Sequence, residues 1–146
     1  MKNNKGFTLI ELLIVISVIA ILISIALPRF KGMQDEGNIS KAKGELRTLQ
    51  TAVESYYIHN NQVYPAALSD LITATPRIVD TVPKDPFDPT NDYVYVRGGT
   101  NNKYYIINSD GVAGNGSAAI SGTNTVTETN GTSCIYVSNM GTDTTP

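Results

Sequence analysis

Lys5-Gly6-Phe7-Thr8-Leu9-Ile10-Glu11 opens an almost unbroken apolar run that reaches Leu27. A cationic start, a glycine and then about twenty oily residues have the outline of an export signal. Glu11 does not fit that outline. A carboxylate inside an apolar segment costs on the order of 2.5–3.5 kcal/mol near a bilayer centre on insertion scales. One way to offset the cost is to snorkel to the headgroups, since Glu11 lies close to the start of the run. The other is a cation that meets it inside the apolar layer. The run itself holds no Lys, Arg or His. A cut between Gly6 and Phe7 would create one, the free α-amino group of Phe7. In a neighbouring copy displaced along the helix axis, that amine would meet Glu11 and compensate its desolvation. Copies related by such a stagger do not close on themselves; they build a helical filament.

The run has the length of a membrane span, because helical residues 7–27 reach about 31 Å at 1.5 Å each. Lys2 and Lys5 precede it, and Arg29 and Lys31 follow it. The positive N-terminal flank favours a cytoplasmic N-terminus. An ordinary secretory signal needs a small-residue cleavage site, and Ala26-Leu27-Pro28-Arg29-Phe30 is a poor match. Pro28 lacks an N–H and crowds the preceding turn, so a kink or local break is expected there. Beyond it, Ile39, Ala42, Leu46, Leu49, Val53 and Tyr56 recur at helical spacing and form a stripe for one partner surface. Lys41, Lys43, Glu45, Arg47 and Glu54 fall on the other face. Gly32, Gly37 and Gly44 each weaken a helix by up to about 1 kcal/mol relative to alanine. With Pro28 they mark a segment able to stretch or melt. The pattern predicts one long helix from residue 7 to about 58, greasy all round in its first half and amphipathic in its second.

Asn60-Asn61 ends that helix. A short helix is expected within Ala66–Ala74, and the prolines at 76, 83, 86 and 89 make residues 75–91 an ordered loop. Residues 92–97 and 103–108 are rich in tyrosine and branched side chains and read as two strands joined by a hairpin loop, Gly98–Asn102. Residues 108–116 are glycine-dense, and 117–133 are Ser/Thr/Asn/Gly-rich and weakly specified. Cys134–Val137 adds a last strand before a polar tail. The expected organisation is a leader over 1–6, a membrane or filament-core helix over 7–27, an amphipathic continuation over 28–60 and a small β-containing globular region over 61–146. The fold class is α+β, the long helix packed on a small antiparallel sheet.

Composition narrows the function. The chain has 146 residues, 11 basic and 13 acidic, with no basic block and no stacking-aromatic cluster. Nucleic-acid binding therefore has no electrostatic footprint. A single cysteine, Cys134, rules out an intrachain disulfide framework and leaves a buried inert thiol or a pairing between chains. One histidine, His59, leaves little for a zinc site and reads as a helix C-terminal cap. Glu45, Glu54, Asp85, Asp88 and Asp92 lack a partnered base, nucleophile or oxyanion donors and read as solvated charge. The tyrosines read as core and cross-strand pairs. Asn130-Gly131-Thr132 fits a glycosylation sequon by pattern alone. No enzymatic motif is present, so an enzyme is not expected.

Lys5-Gly6-Phe7-Thr8-Leu9-Ile10-Glu11-Leu12-Leu13 resembles the N-terminal signature of the type IV pilin-like superfamily, shared by pilins, type II secretion pseudopilins and DNA-uptake pseudopilins. The resemblance implies cleavage after Gly6 by a membrane prepilin peptidase and N-methylation of Phe7 by the same enzyme. It makes Glu11 the intramembrane glutamate that registers subunits during assembly, and Pro28 the helix-breaking proline. More loosely, the rest is similar to the major pseudopilin of type II secretion. The matching pieces are Tyr64-Pro65 with Leu68 and Leu71, Pro83-Lys84-Asp85-Pro86-Phe87, and Tyr104 through Gly111. That similarity implies an inner-membrane, single-pass precursor with its C-terminal domain in the periplasm. It would polymerise with itself, on an assembly platform and with minor pseudopilins, into a pseudopilus that drives secretion across the outer membrane. It also implies a calcium ion near Asp110. The next acid after Asp110 is Glu128, eighteen positions on, and a simple turn at Asp110-Gly111 is the alternative. Two other functions stay open. One is a type IV pilus major pilin for adhesion, motility or DNA uptake. The other is a secreted soluble binding module with an ordinary signal peptide.

Overall fold

The computed structural model describes residues 6–122, 124–129 and 134–141. The leader before Gly6, the sequon at 130–132 and the end of the polar tail lie outside the described residues. Helix α1 spans Leu9–His59, close to the predicted 7 to 58. A single turn of helix, α2, covers Asp70–Thr73, shorter than the stretch expected within 66–74. Five strands follow: β1 Val94–Gly98, β2 Tyr104–Ser109, β3 Ser117–Ile120, β4 Val126–Thr129 and β5 Ile135–Ser138. The chain divides into two compact units, one ending at Glu36 and the other beginning at Gly37.

In the first unit, apolar side chains cover every side of α1 and are exposed throughout, from Leu9 and Ile10 to Leu27, Phe30 and Met33. Ser17 and Ser24 interrupt the run, but their hydroxyls donate back to the Ile14 and Ile21 carbonyls at 2.7 Å each. Both polar groups are thereby satisfied within the helix, as an apolar surrounding requires. Pro28, where a kink or local break is expected, lies inside α1, which is assigned as helix through that residue. Proline removes one backbone bond and strains one turn, at about 3 kcal/mol or more. The many turns on either side continue the helix across it.

In the second unit the stripe does what its spacing predicts. Ala42, Leu46, Leu49 and Val53 are buried, and Ile39 and Tyr56 pack against them half-buried. They face a three-stranded antiparallel sheet in the order β1-β2-β5. The central strand pairs Tyr95 with Ile107 on one side and Ile107 with Val137 on the other. Alternation along β2 sends Tyr105 and Ile107 into the core shared with α1, and Ile106 into a second cluster with Ala118, Cys134 and Tyr136. The Gln50 side chain of α1 also donates to the Ser138 carbonyl of β5 at 3.1 Å.

The second cluster is closed by an antiparallel hairpin of β3 and β4, in the region expected to be weakly specified. Ile120 and Val126 pack on it from the hairpin. The Tyr136 hydroxyl donates to Glu128 Oε1 at 2.8 Å. Cys134 is a free, buried thiol, in keeping with the inert reading.

Candidate processing and assembly site

The head of α1 is built from four residues. Gly6, Phe7 and Thr8 precede the first helical residue, carry no regular structure and are exposed, Phe7 to 83%. The Gly6–Phe7 peptide bond is therefore exposed and outside the helical hydrogen-bond ladder. Thr8 occupies the N-cap position and Glu11 the third helical position. The Thr8 backbone N–H donates to Glu11 Oε2 at 2.9 Å, and the Thr8 hydroxyl donates to the same oxygen at 2.6 Å. The Glu11 N–H returns a longer bond of 3.3 Å to the Thr8 hydroxyl oxygen. This is a capping box, in which each residue satisfies a donor that the helix start leaves orphaned.

The capping box is a functional element that the sequence reading missed. From the apolar run alone, Glu11 is a charge that either snorkels to the headgroups or meets a cation inside the apolar layer. Thr-x-x-Glu immediately before an apolar run is the sequence signal that identifies the cap. Both Thr8 donors converge on Oε2. Glu11 Oε1 takes neither of them.

Downstream, the exposed apolar side chains of α1 form a shallow concavity of about 350 Å³ lined by Leu22, Ile25, Ala26, Arg29, Phe30 and Met33. A single polar group, the Arg29 guanidinium, marks its edge. The helix is long and apolar enough to cross a membrane.

Three of the carboxylates expected to be solvated are structural instead. Glu54 on α1 accepts the Tyr105 hydroxyl at 2.8 Å and the Tyr64 hydroxyl at 3.2 Å. Tyr64 stacks on Tyr57 with ring centroids 4.4 Å apart and lies 4.9 Å from Tyr105. Burial, and then the Glu54 carboxylate, hold the Tyr105 phenol far above its ordinary range. Glu45 accepts the Tyr93 hydroxyl at 2.7 Å. Asp85 is only 3% exposed, and its partners are the nearby Phe87 N–H and two groups at the end of β2, the Ser109 hydroxyl and the Asp110 N–H. The helical period shows which α1 residues face the core, but not that a core tyrosine reaches past the stripe to a flanking carboxylate. By contrast, Asp88 and Asp92 are local surface groups: Asp88 accepts the Asn91 side-chain amide, and Asp92 pairs with Lys84 at 2.9 Å. His59 is exposed at the end of α1, its Nδ1 2.8 Å from the Ser55 carbonyl, as a cap should be.

Asp110 lies at the end of β2. Desolvation, and then the nearby Asp85 and Asp88 charges, push its carboxyl above the usual range. Calcium takes six to eight oxygens. Among the described residues no three His, Cys, Asp or Glu side chains converge as a metal-holding group, and the Asp110 carbonyl already accepts the Gly116 N–H at 2.9 Å.

Comparison with known proteins gives two family matches. Residues 1–27 match the prokaryotic N-terminal methylation motif, and residues 29–125 match the family described as type II secretion system (T2SS), protein G. Among curated relatives, a type II secretion system core protein G of Klebsiella michiganensis is 32% identical over 77% of this chain and 89% of its own. The protein of the same name from Vibrio cholerae is 31% identical over 68% of this chain and 75% of its own. A fimbrial protein of Pseudomonas aeruginosa is 39% identical, but over only 46% of this chain and 44% of its own. The chain thus spans less than half the length of that fimbrial relative. No solved structure matches.

Proposed function

The chain belongs to the type II secretion system protein G family, and from that premise we propose that it is a structural subunit of a pseudopilus, a filament that drives protein secretion across the outer membrane. The observation that carries the reading is the first unit of α1. Its apolar surface is exposed from Leu9 to Met33, far beyond what a monomeric soluble protein leaves uncovered. Lipid covers it in the precursor, and the same surface of other copies covers it in the filament. The protein is a substrate of a prepilin peptidase, cut after Gly6 and methylated on Phe7. It is held in the inner membrane with its C-terminal domain in the periplasm. The assembly platform and minor pseudopilins are its partners.

Glu11 registers the copies. Its Oε2 is held by Thr8, and its Oε1 accepts the Phe7 amine of a neighbour, so the cap orients the carboxylate rather than competing with the contact. Pro28 and the helix glycines allow the helix to loosen as copies pack.

The type IV pilus is the second reading, favoured by the higher identity of the fimbrial relative. The protein G relatives match more of the chain, which supports the pseudopilus.

Two measurements test the proposal. Mass spectrometry of the purified protein should give a mature N-terminus at methylated Phe7; an unmodified start beyond Leu27 would sink it. Glu11→Val should still insert in the membrane and assemble poorly, whereas normal filaments would remove Glu11 from the mechanism.

A further inference from the structure

The loop after β2 is gathered around one buried carboxylate from a distant part of the chain. Asp85 Oδ1 accepts the Phe87 N–H at 2.9 Å and the Ser109 hydroxyl at 2.8 Å. Its Oδ2 accepts the Asp110 N–H at 3.0 Å. The Ser109 oxygen in turn accepts the Gly111 N–H at 3.2 Å. Beyond it, the Gly111 carbonyl accepts the Gly114 N–H, and the Asp110 carbonyl accepts the Gly116 N–H, both at 2.9 Å. Gly116 closes the loop against Cys134, the residue before β5. A β-carbon there would come within 2.7–2.8 Å of the Cys134 backbone, a contact that no other residue type can make.

This arrangement supplies what a bound cation supplies in a metal-organised loop, with the polarity reversed. A cation gathers carbonyls and carboxylates around a positive centre. Asp85 gathers N–H and O–H groups around a negative one, and hydrogen bonds to a charged acceptor are the stronger kind. We propose that Asp85 fastens the 109–116 loop to the Pro83–Phe87 segment, and that the loop keeps its shape without calcium. Asp85 is a positioning residue. It fixes the end of β2, and through Gly116 the place where the chain re-enters at Cys134. The inference concerns the second unit alone and does not depend on whether the chain polymerises.

The test uses the full chain in detergent micelles. Thermal unfolding is followed in millimolar calcium chloride and in EDTA for the wild type, Asp85→Asn and Asp110→Asn. The wild type should melt within about 1 °C in the two conditions. Asp85→Asn should melt at least about 5 °C lower, and Asp110→Asn should not melt lower than wild type. A rise in melting temperature with calcium that Asp110→Asn abolishes overturns the proposal, as does an Asp85→Asn protein that melts like the wild type. Should Asp85→Asn fail to fold, amide exchange of the wild type in EDTA decides. Protected Phe87 and Asp110 N–H groups support the fastening, and free exchange at both rejects it.

Discussion

Thr8 and Glu11 close a reciprocal cap at the head of α1, with the Thr8 N–H and hydroxyl both on Glu11 Oε2, at 2.9 and 2.6 Å. The carboxylate that stands out in the sequence as an isolated charge therefore has partners within its own chain before any neighbour arrives. The cap satisfies one oxygen, and it holds Thr8, the residue after Phe7, against Glu11.

The cap can be weakened without touching the carboxylate. Thr8→Val removes the hydroxyl and keeps the shape, with an expected loss of about 1 kcal/mol at the helix start. In micelles the Glu11 amide, which the hydroxyl accepts, should exchange faster, and Thr8→Ser should restore the wild-type rate. Equal rates in the Val and Thr proteins would show that the hydroxyl contributes nothing.

Glu54 is a polar link between α1 and the sheet, beside the Gln50 bond to Ser138. Glu54→Ala leaves the buried Tyr105 hydroxyl without its acceptor and takes one partner from Tyr64. Destabilisation of about 2–3 kcal/mol is expected, against about 1 kcal/mol for Tyr105→Phe, which removes the donor as well. Denaturant unfolding of the second unit's signal in the full chain measures both. Equal effects would place the Tyr105 hydroxyl outside the link.

Asn108 is 1% exposed, and neither side-chain polar atom has a hydrogen-bond partner among the described residues. It pairs across β2 with Tyr136 and Val94, on the side covered by the hairpin. Asn108→Leu removes both unsatisfied groups while roughly keeping volume, so stability should hold or rise by about 1 kcal/mol. Asn108→Asp should lower it by several kcal/mol, because it buries an unpaired charge. A large loss in the leucine protein, seen in the same unfolding experiment, would mean that the amide has a partner.

Burial pushes the Cys134 thiol up to about 11 from 9.0, with lesser contributions from Glu128 and Asp110. The folded state therefore favours the neutral thiol. Its contribution to stability is complete below about pH 9 and is lost as pH rises from 9 through 11. Native protein should not react with a disulfide reagent at pH 8, while urea-unfolded protein should react at once. The fall in stability between pH 9 and 11 should be shallower in Cys134→Ala. Part of it will remain, because Tyr93, Tyr95 and Tyr105 are shifted upward as well.

The helix was legible because its signals are periodic and local. Length, the change from all-round grease to a stripe, and the Asn-Asn stop each predict a boundary or a face, and the stripe from Ile39 to Tyr56 lies where the spacing puts it. The strands β1, β2 and β5 were legible from branched and aromatic side chains, to within a residue or two. The β3–β4 hairpin was not. Ser117-Ala118-Ala119-Ile120 has little intrinsic strand preference, and it takes that form because Ala118 and Ile120 cover Ile106 and Tyr136. Val126-Thr127 did offer a branched signal. Asp85 and Glu54 were beyond sequence reasoning for another reason: a buried carboxylate differs from a solvated one only in what folds over it, and their partners lie 24 and 51 positions away.

The order of strands in the sheet has a consequence for biosynthesis. β2 lies at the centre, but one of its two neighbours, β5, follows the whole hairpin in the chain. A nascent chain that has produced α1, β1 and β2 carries a membrane-length anchor but an incomplete sheet with one bare edge. The far wall of the core, Ile135 and Val137, is still missing. Such a chain would be anchored well before it is folded. A copy cut short ahead of Ile135 would remain in that state, with that edge of β2 unpaired.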